Sequence, residues 1–225
     1  MKISEILLKY NTDKNMGIKD PKKGHFYGTT YDEIFSWFNK NEKLTIMEIG
    51  VQKGGSLKAW RDYFKNAIII GVDIVDVREK EYISSDLKFI KSDIQKIDIQ
   101  NSFGNSLFDI IIDDGSHFLD DVLFVVENYA KRLKNYGVIL IEDVQDAPKW
   151  FNKIIFKLMP ENGCFNVQFR DMRNIGAYDD FIIIIKKVND STINQIYFSI
   201  ANYLRLQFLY IKKYMNRLKV KFLGV

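Results

Sequence analysis

A chain of 225 residues, 47% apolar and 28% charged, has the composition of one large soluble domain and the length to bury a substantial core. Its single Cys164 has no internal disulfide partner, and no cysteine–histidine cluster marks a zinc site, which fits a reducing, cytoplasmic setting. The net charge of +4 is uneven: six basic residues and no acidic one follow Asp190, and removing those six from the 33 leaves 27 basic against 29 acidic residues. The body therefore offers no electrostatic case for nucleic acid.

In chain order, the opening MKISEILLKY carries Glu5 inside its apolar stretch and lacks a cleavage site, so it does not read as a signal peptide. No apolar run approaches the roughly 20 residues that span a bilayer. The following polar, turn-rich stretch holds His25, Tyr27 and Tyr31. It is expected to form a substrate-facing flap over residues 1–40.

Short apolar, β-branched runs then alternate with amphipathic stretches. Strands are expected at Leu44–Glu48, Ala67–Val72, Lys88–Ile90, Phe108–Ile112, Val138–Ile141, Phe165–Phe169 and Phe181–Ile185. Several are apolar at nearly every position, as parallel strands covered on both faces are. Helices are expected at Gly55–Phe64 and Phe118–Leu133, the second with Asp120 and Asp121 in its first turn. The alternation predicts an α/β fold, a doubly wound and mostly parallel seven-stranded sheet, with an antiparallel strand at one edge.

Chemistry-bearing residues gather at the strand ends. Glu48 closes the first strand, and Gly50, Gln52, Gly54, Gly55 and Ser56 lead into a helix. Such a turn admits a ligand close to backbone, and the helix start favours an anionic group. The GxGxxG dinucleotide fingerprint is absent. Asp73 ends the second strand and Asp93 the third; in doubly wound sheets an acid at the second strand can accept ribose hydroxyls. Phe108–Ile112 runs into Asp113, Asp114, Gly115, Ser116 and His117, and the fifth strand runs into Glu142 and Asp143. Asp113 or Asp114 could also serve as a cap for the helix that starts near Phe118. Neighbouring carboxylates of this kind need a cation, a proton or a basic side chain between them. Oxygen donors without soft ligands suit Mg2+ or Mn2+. His117, three residues after Asp114, is a candidate general base.

Glu48-x-Gly50 with Gly54, followed by Asp73 and Asp93, resembles the cofactor site of class I S-adenosylmethionine-dependent methyltransferases over about Ile46–Lys186. The middle glycine of that family's acid-x-Gly-x-Gly-x-Gly is Gln52 here. The resemblance implies that Gly50, with Gln52, Gly54 and Ser56 beside it, approaches the methionine portion. It assigns Asp73 to the ribose, and Asp93 with Ile94 to the adenine. IIDDGSH and LIEDVQ, preceded by NTDK and HFYGTTYDEIF, are similar to the metal-dependent sugar O-methyltransferases of macrolide glycosides and to cephalosporin-hydroxylase-like methyltransferases. That resemblance implies a divalent ion on Asp114, Glu142 and Asp143, with His117 as base beside the metal ligand Asp114. It makes a sugar or polyhydroxylated small molecule the acceptor, with His25, Tyr27 and Tyr31 closing over it. Acceptance by nitrogen or a phosphate derivative, and a non-catalytic nucleotide-binding scaffold of the same fold, stay open.

Residues 1–190 thus read as the methyltransferase domain and 191–225 as a basic amphipathic helix. Within Thr192–Lys221, Ile196, Ile200, Leu204, Phe208, Ile211, Met215, Leu218 and Phe222 form an apolar stripe at spacings of three and four. The stripe has three readings: packing on its own domain, a homo-oligomer contact, or peripheral contact with the inner face of the membrane.

Overall fold

The computed structural model describes residues 1–10, 12–20, 24–75, 87–158, 165–188, 204–205 and 207–211. Seven strands form one sheet: β1 Thr45–Ile49, β2 Ile68–Asp73, β3 Leu87–Lys91, β4 Phe108–Asp113, β5 Leu133–Ile141, β6 Phe165–Asp171 and β7 Phe181–Lys187. Their order is β3-β2-β1-β4-β5-β7-β6. The pairs among β1 to β5 are parallel. β7 runs antiparallel between β5 and β6, so the reversed strand lies one position in from the edge rather than at it.

The apolar runs are continuous because both faces are covered. Along β4, Ile110 and Ile112 face a core layer shared with helices α1 (Ile3–Lys9), α2 (Gly28–Phe35) and α3 (Gly55–Tyr63). Ile111 and Phe108 face the opposite layer with α4 (Ile99–Phe103), α5 (Leu119–Tyr129) and α6 (Ala147–Leu158). A residue period of two on a sheet buried on both sides leaves no position for a polar side chain until the strand ends. The register then lines those ends up: Asp113 pairs with Ile49 on one side and Ile141 on the other. One further ladder bond on each side, Asp114 N–H to Ile49 O and Glu142 N–H to Asp113 O, fixes where the acids emerge.

Part of the N-terminal segment expected as a flap packs into the core: Ile3, Leu7, Tyr27, Tyr31, Ile34 and Phe35 are all sealed from solvent. Tyr31 and Phe35 pack against Trp60 of α3, with ring centroids 4.9 and 5.1 Å away. The polar residues that suggest a flap, Asp13–Ile18, form a 3-10 turn at the sheet edge where the strand ends open. Between β5 and β6 the fold adds α6 to the expected elements, with Trp150, Phe151, Ile154, Ile155 and Leu158 on its buried face. Most of the expected tail helix falls outside the described residues; within them, 204–205 and 207–211 are helical. Among the described residues no helix is long and apolar enough to cross a membrane.

Candidate active site

A cavity of about 770 Å³ opens over the carboxyl ends of β1, β2 and β4. It sits where strand order reverses between β1 and β4, the place where doubly wound sheets bind ligands. Its wall includes Gly50, Gln52, Gly55 and Ser56 from the β1–α3 loop, Asp73, and Asp93 with Ile94. It also includes Asp113, Asp114, His117 and Asp143, and, from the N-terminal segment, Tyr10, Thr12, Asp13 and Lys14.

Gly50 is the tightest point of the loop. Its φ is +81°, and a Cβ there would stand 1.9 Å from the Asp114 carbonyl oxygen, so no side chain fits. Gly54 (φ +79°) turns the chain into α3. Gln52, where the family resemblance leads one to expect glycine, takes the left-handed conformation all the same, at φ +48°. Asp73 explains how: its Oδ2 accepts from the N–H groups of Val51 (2.8 Å) and Gln52 (3.1 Å), and its Oδ1 from that of Val75 (2.9 Å). Asp73 therefore shapes the loop as well as facing the cavity. Asp93 likewise caps the 3-10 turn Ile94–Lys96 through Gln95 N–H while lining the same space.

Glu48 departs from expectation. It is fully buried and points to the α3 side of the sheet, where Oε2 accepts from Ser56 Oγ and Trp60 Nε1, each at 2.8 Å. It is absent from the cavity wall, because in β1 it shares the parity of Ile46, which faces that core layer. Burial raises its carboxyl to about 7 despite the nearby Lys14. Ser56 reaches the cavity, but its hydroxyl is given to Glu48.

The acids after β4 and β5 surround a residue that spacing alone does not single out. Lys14 is 2% exposed, and its Nζ lies 2.6 Å from Asp114 Oδ2, 2.6 Å from Glu142 Oε2 and 3.5 Å from Glu48 Oε1. Burial works against the ammonium, yet Asp114 and Glu142 outweigh it and hold Lys14 well above its ordinary value. The basic side chain required between those carboxylates is thus Lys14. A signal is present in the charge balance, since several buried acids need a counter-charge, but nothing in the sequence says which of 33 basic residues supplies it.

Glu142, expected as a metal ligand, is engaged on both oxygens, by Lys14 on Oε2 and by the Tyr31 hydroxyl on Oε1. It reaches an ion only by giving one of them up. Tyr31 and Tyr27, expected over a substrate, are sealed inside; the Tyr27 hydroxyl donates to Asp143. They support acids rather than face a sugar. His25 stacks on Tyr27 with centroids 4.8 Å apart, pairs through Nδ1 with the buried Asp180, and lies 3.6 Å from Asp143. It too stands behind the acids and is not part of the cavity wall.

What remains open toward the cavity is a corner formed by Asp114, His117 and Asp143, whose ligand atoms lie within 4.8 Å of one another. His117 Nε2 is 4.0 Å from Asp114 Oδ1 and 3.7 Å from Asp143 Oδ2. His117 (φ +56°) and Asp143 (φ +54°) both occupy the left-handed region, a conformation that non-glycine residues hold where surrounding structure imposes it. Burial raises Asp143, against His25 and the Tyr27 hydrogen bond. The two carboxylates fit a divalent ion, and the imidazole beside them is placed to take a proton. The cavity volume, the close backbone approach at Gly50 and the polar groups along the wall fit an adenosyl cofactor. Asp113 does not cap α5, which has no side-chain cap: it is 6% exposed, its Oδ1 accepts from Gly115 N–H, its Oδ2 has no partner among the described residues, and burial raises it to about 7.

The strand order and the cavity at the switch point define the class I methyltransferase fold. The MycE methyltransferase of the mycinamycin biosynthetic pathway, solved in complex with Mg, SAH and mycinamycin VI, superposes with a TM-score of 0.62 at 23% identity, covering 85% of this chain and 56% of that one. No family model matches the chain. Among curated proteins, the 8-demethyl-8-alpha-L-rhamnosyl tetracenomycin-C 2'-O-methyltransferase of Streptomyces olivaceus is 32% identical over 154 residues, 64% of this chain and 38% of that protein. The L-olivosyl-oleandolide 3-O-methyltransferase of Streptomyces antibioticus is 28% identical over 148 residues, 63% of this chain and 36% of that one. The chain thus spans little more than a third of the length of these two curated relatives, both named as O-methyltransferases of rhamnosyl or olivosyl compounds.

Proposed function

We propose that the chain is an S-adenosylmethionine- and divalent-metal-dependent O-methyltransferase acting on a hydroxyl of a sugar or glycoside. The observation that carries this reading is the convergence of Asp114, His117 and Asp143 on the wall of the switch-point cavity. The names of the relatives, which carry rhamnosyl and olivosyl groups, favour a sugar hydroxyl as acceptor.

When bound, the cofactor supplies an electrophilic methyl group and the ion lowers the pKa of a coordinated hydroxyl. Asp114 and Asp143 would hold the ion, with Glu142 behind them in reserve. Lys14 and Tyr31 fix Glu142, Lys14 also fixes Asp114, and Tyr27 fixes Asp143, so the corner keeps its shape before any ligand arrives. His117, half-buried and 3.7 to 4.0 Å from both carboxylates, takes the proton from the hydroxyl. Gly50 admits the cofactor close to the backbone, Asp73 and Asp93 accept its polar edges, and Ile94 offers an apolar surface.

Transfer of labelled methyl from S-adenosylmethionine to a panel of glycosides and nucleotide sugars tests the proposal. Turnover should require Mg2+ or Mn2+ and stop with EDTA. Turnover that survives EDTA would remove the ion from the mechanism. Cofactor binding with no turnover on any acceptor would favour the scaffold reading.

A further inference from the structure

Lys14 stands where the carboxyl ends of β4 and β5 bring two acids together. Its Nζ is 2.6 Å from Asp114 Oδ2 and 2.6 Å from Glu142 Oε2, so one ammonium spans acids supplied by two neighbouring strands. The other Glu142 oxygen accepts from the Tyr31 hydroxyl, and the Glu142 side chain is 1% exposed. Asp114 is divided differently: Oδ2 faces Lys14, while Oδ1 faces His117 in the corner that includes Asp143. The lysine is tied down at its backbone as well. Its N–H donates to Thr12 Oγ1, and its carbonyl accepts from Tyr27 N–H at 2.9 Å. The charge is therefore a fixture of the fold, aimed at two of the three acids that the corner offers a divalent ion.

We propose that Lys14 competes with the divalent ion for Asp114 and Glu142, and thereby sets how tightly the corner holds that ion. The inference rests on the ion proposed for the corner. An ion such as Mg2+ needs its oxygens at about 2.0–2.1 Å. An ammonium that donates to the same oxygens occupies their lone pairs and repels the ion. With Lys14 in place, the ion has Asp143 and the outer oxygen of Asp114; Glu142 joins only when the ammonium gives up Oε2. Mg2+ is commonly held by one or two carboxylates, and each further acid raises affinity through charge. Lys14 is thus a positioning residue that acts through the two acids. It keeps the ion exchangeable and leaves coordination positions for neighbouring hydroxyls of the acceptor.

Titration of the cofactor-free full chain with Mn2+, followed by loss of the free-ion electron paramagnetic resonance signal, tests the competition. Lys14→Met should bind Mn2+ roughly tenfold more tightly, or better, than the unaltered chain. A lysine that served only to hold the fold would give the reverse, a looser ion in a disturbed site. Because Lys14→Met leaves buried acids unbalanced, a charge-balanced comparison decides where that variant does not fold. Lys14→Met combined with Glu142→Gln should bind Mn2+ more tightly than Glu142→Gln alone, through the Asp114 oxygen set free. Affinity that falls or stays level when Lys14 is removed would overturn the competition, while Mn2+ binding lost in Asp143→Asn would leave the ion corner standing. Absence of Mn2+ binding in every variant would overturn both.

Discussion

An ammonium group sealed from solvent and 2.6 Å from two carboxylate oxygens is stable only as part of a set. Removing Lys14 leaves Asp114, Glu142 and Glu48 without their cation, and breaking a buried pair in this way costs about 3–5 kcal/mol. Lys14→Met should therefore lower stability by that order in calorimetry near pH 8, and by less near pH 5, where the buried acids take up protons. An equal loss at both pH values would show that packing, not charge, is what Lys14 contributes. The acids carry a second expectation. Burial holds Glu48 at about 7, above its ordinary 4.5, and Asp113 at about 7, above 3.8. Carboxyls raised on folding stabilise most below their ordinary values, and that contribution is lost as pH climbs through the folded ones. His25, raised by Asp143 and Asp180 against the effect of burial, acts in the same direction. Asp62, lowered to about 2, matters only as pH falls below 3.8. The ligand-free chain should thus melt lower as pH rises from about 5 to 8, and Glu48→Gln should flatten the slope. A slope unchanged in that variant would remove Glu48 as its source. At this scale the acids at strand ends are legible in the sequence, because an unbroken apolar run that stops at carboxylates marks the point where a buried strand leaves the core. Lys14, 100 residues from Asp114, is not, because no local pattern records a contact made by the fold.

Helices and strands place those residues to within a few ångströms. β5 starts at Leu133, five residues before its expected start, since Leu133 pairs with Phe108 and the ladder resumes at Val138 opposite Ile110 after an irregularity that holds Tyr136 at φ +68°. α5 stops at Tyr129 and passes into a 3-10 turn, where the apolar spacing runs on to Leu133. Neither difference moves the site, because the carboxyl ends are fixed by register and by the parity of each strand. Parity also explains Glu48: its place at a strand end makes it look like a ligand, but its side faces the other layer. The β1–α3 loop is where an element-level test belongs. Gly50→Ala would set a Cβ 1.9 Å from the Asp114 carbonyl in a left-handed conformation. The loop must then move, so the variant should lose cofactor affinity by at least roughly tenfold, read by calorimetric titration with S-adenosylhomocysteine. Unchanged affinity would place the ligand away from this loop.

Over the whole molecule the N-terminal segment does two jobs that its polar composition conceals. α1 and α2 complete one core layer, and the turn between them delivers Lys14, while Tyr10, Thr12 and Asp13 close one wall of the cavity. Deleting residues 1–35 should therefore abolish cooperative unfolding, whereas removal of a mobile flap would leave the melting transition in place. Aromatic residues hide this role: Tyr27 and Tyr31 suit a substrate cover and a packed core equally well in sequence, and both are buried. The strands and the acids at their ends are readable because short apolar runs that alternate with helices, each stopping at a carboxylate, constrain the fold class strongly. Which face of the tail helix docks is not, since Leu209 lies off the apolar stripe. The central claim, an adenosyl-cofactor cavity beside a divalent-ion corner, is tested most directly by thermal denaturation with S-adenosylhomocysteine or NAD, each with and without Mn2+. Ligand at about 100 times its dissociation constant stabilises by about 2.7 kcal/mol, so S-adenosylhomocysteine should raise the midpoint by roughly 5–10 °C and NAD should not. Mn2+ should add a further shift that Asp143→Asn removes. A midpoint indifferent to S-adenosylhomocysteine at saturating concentration would contradict the account at its base.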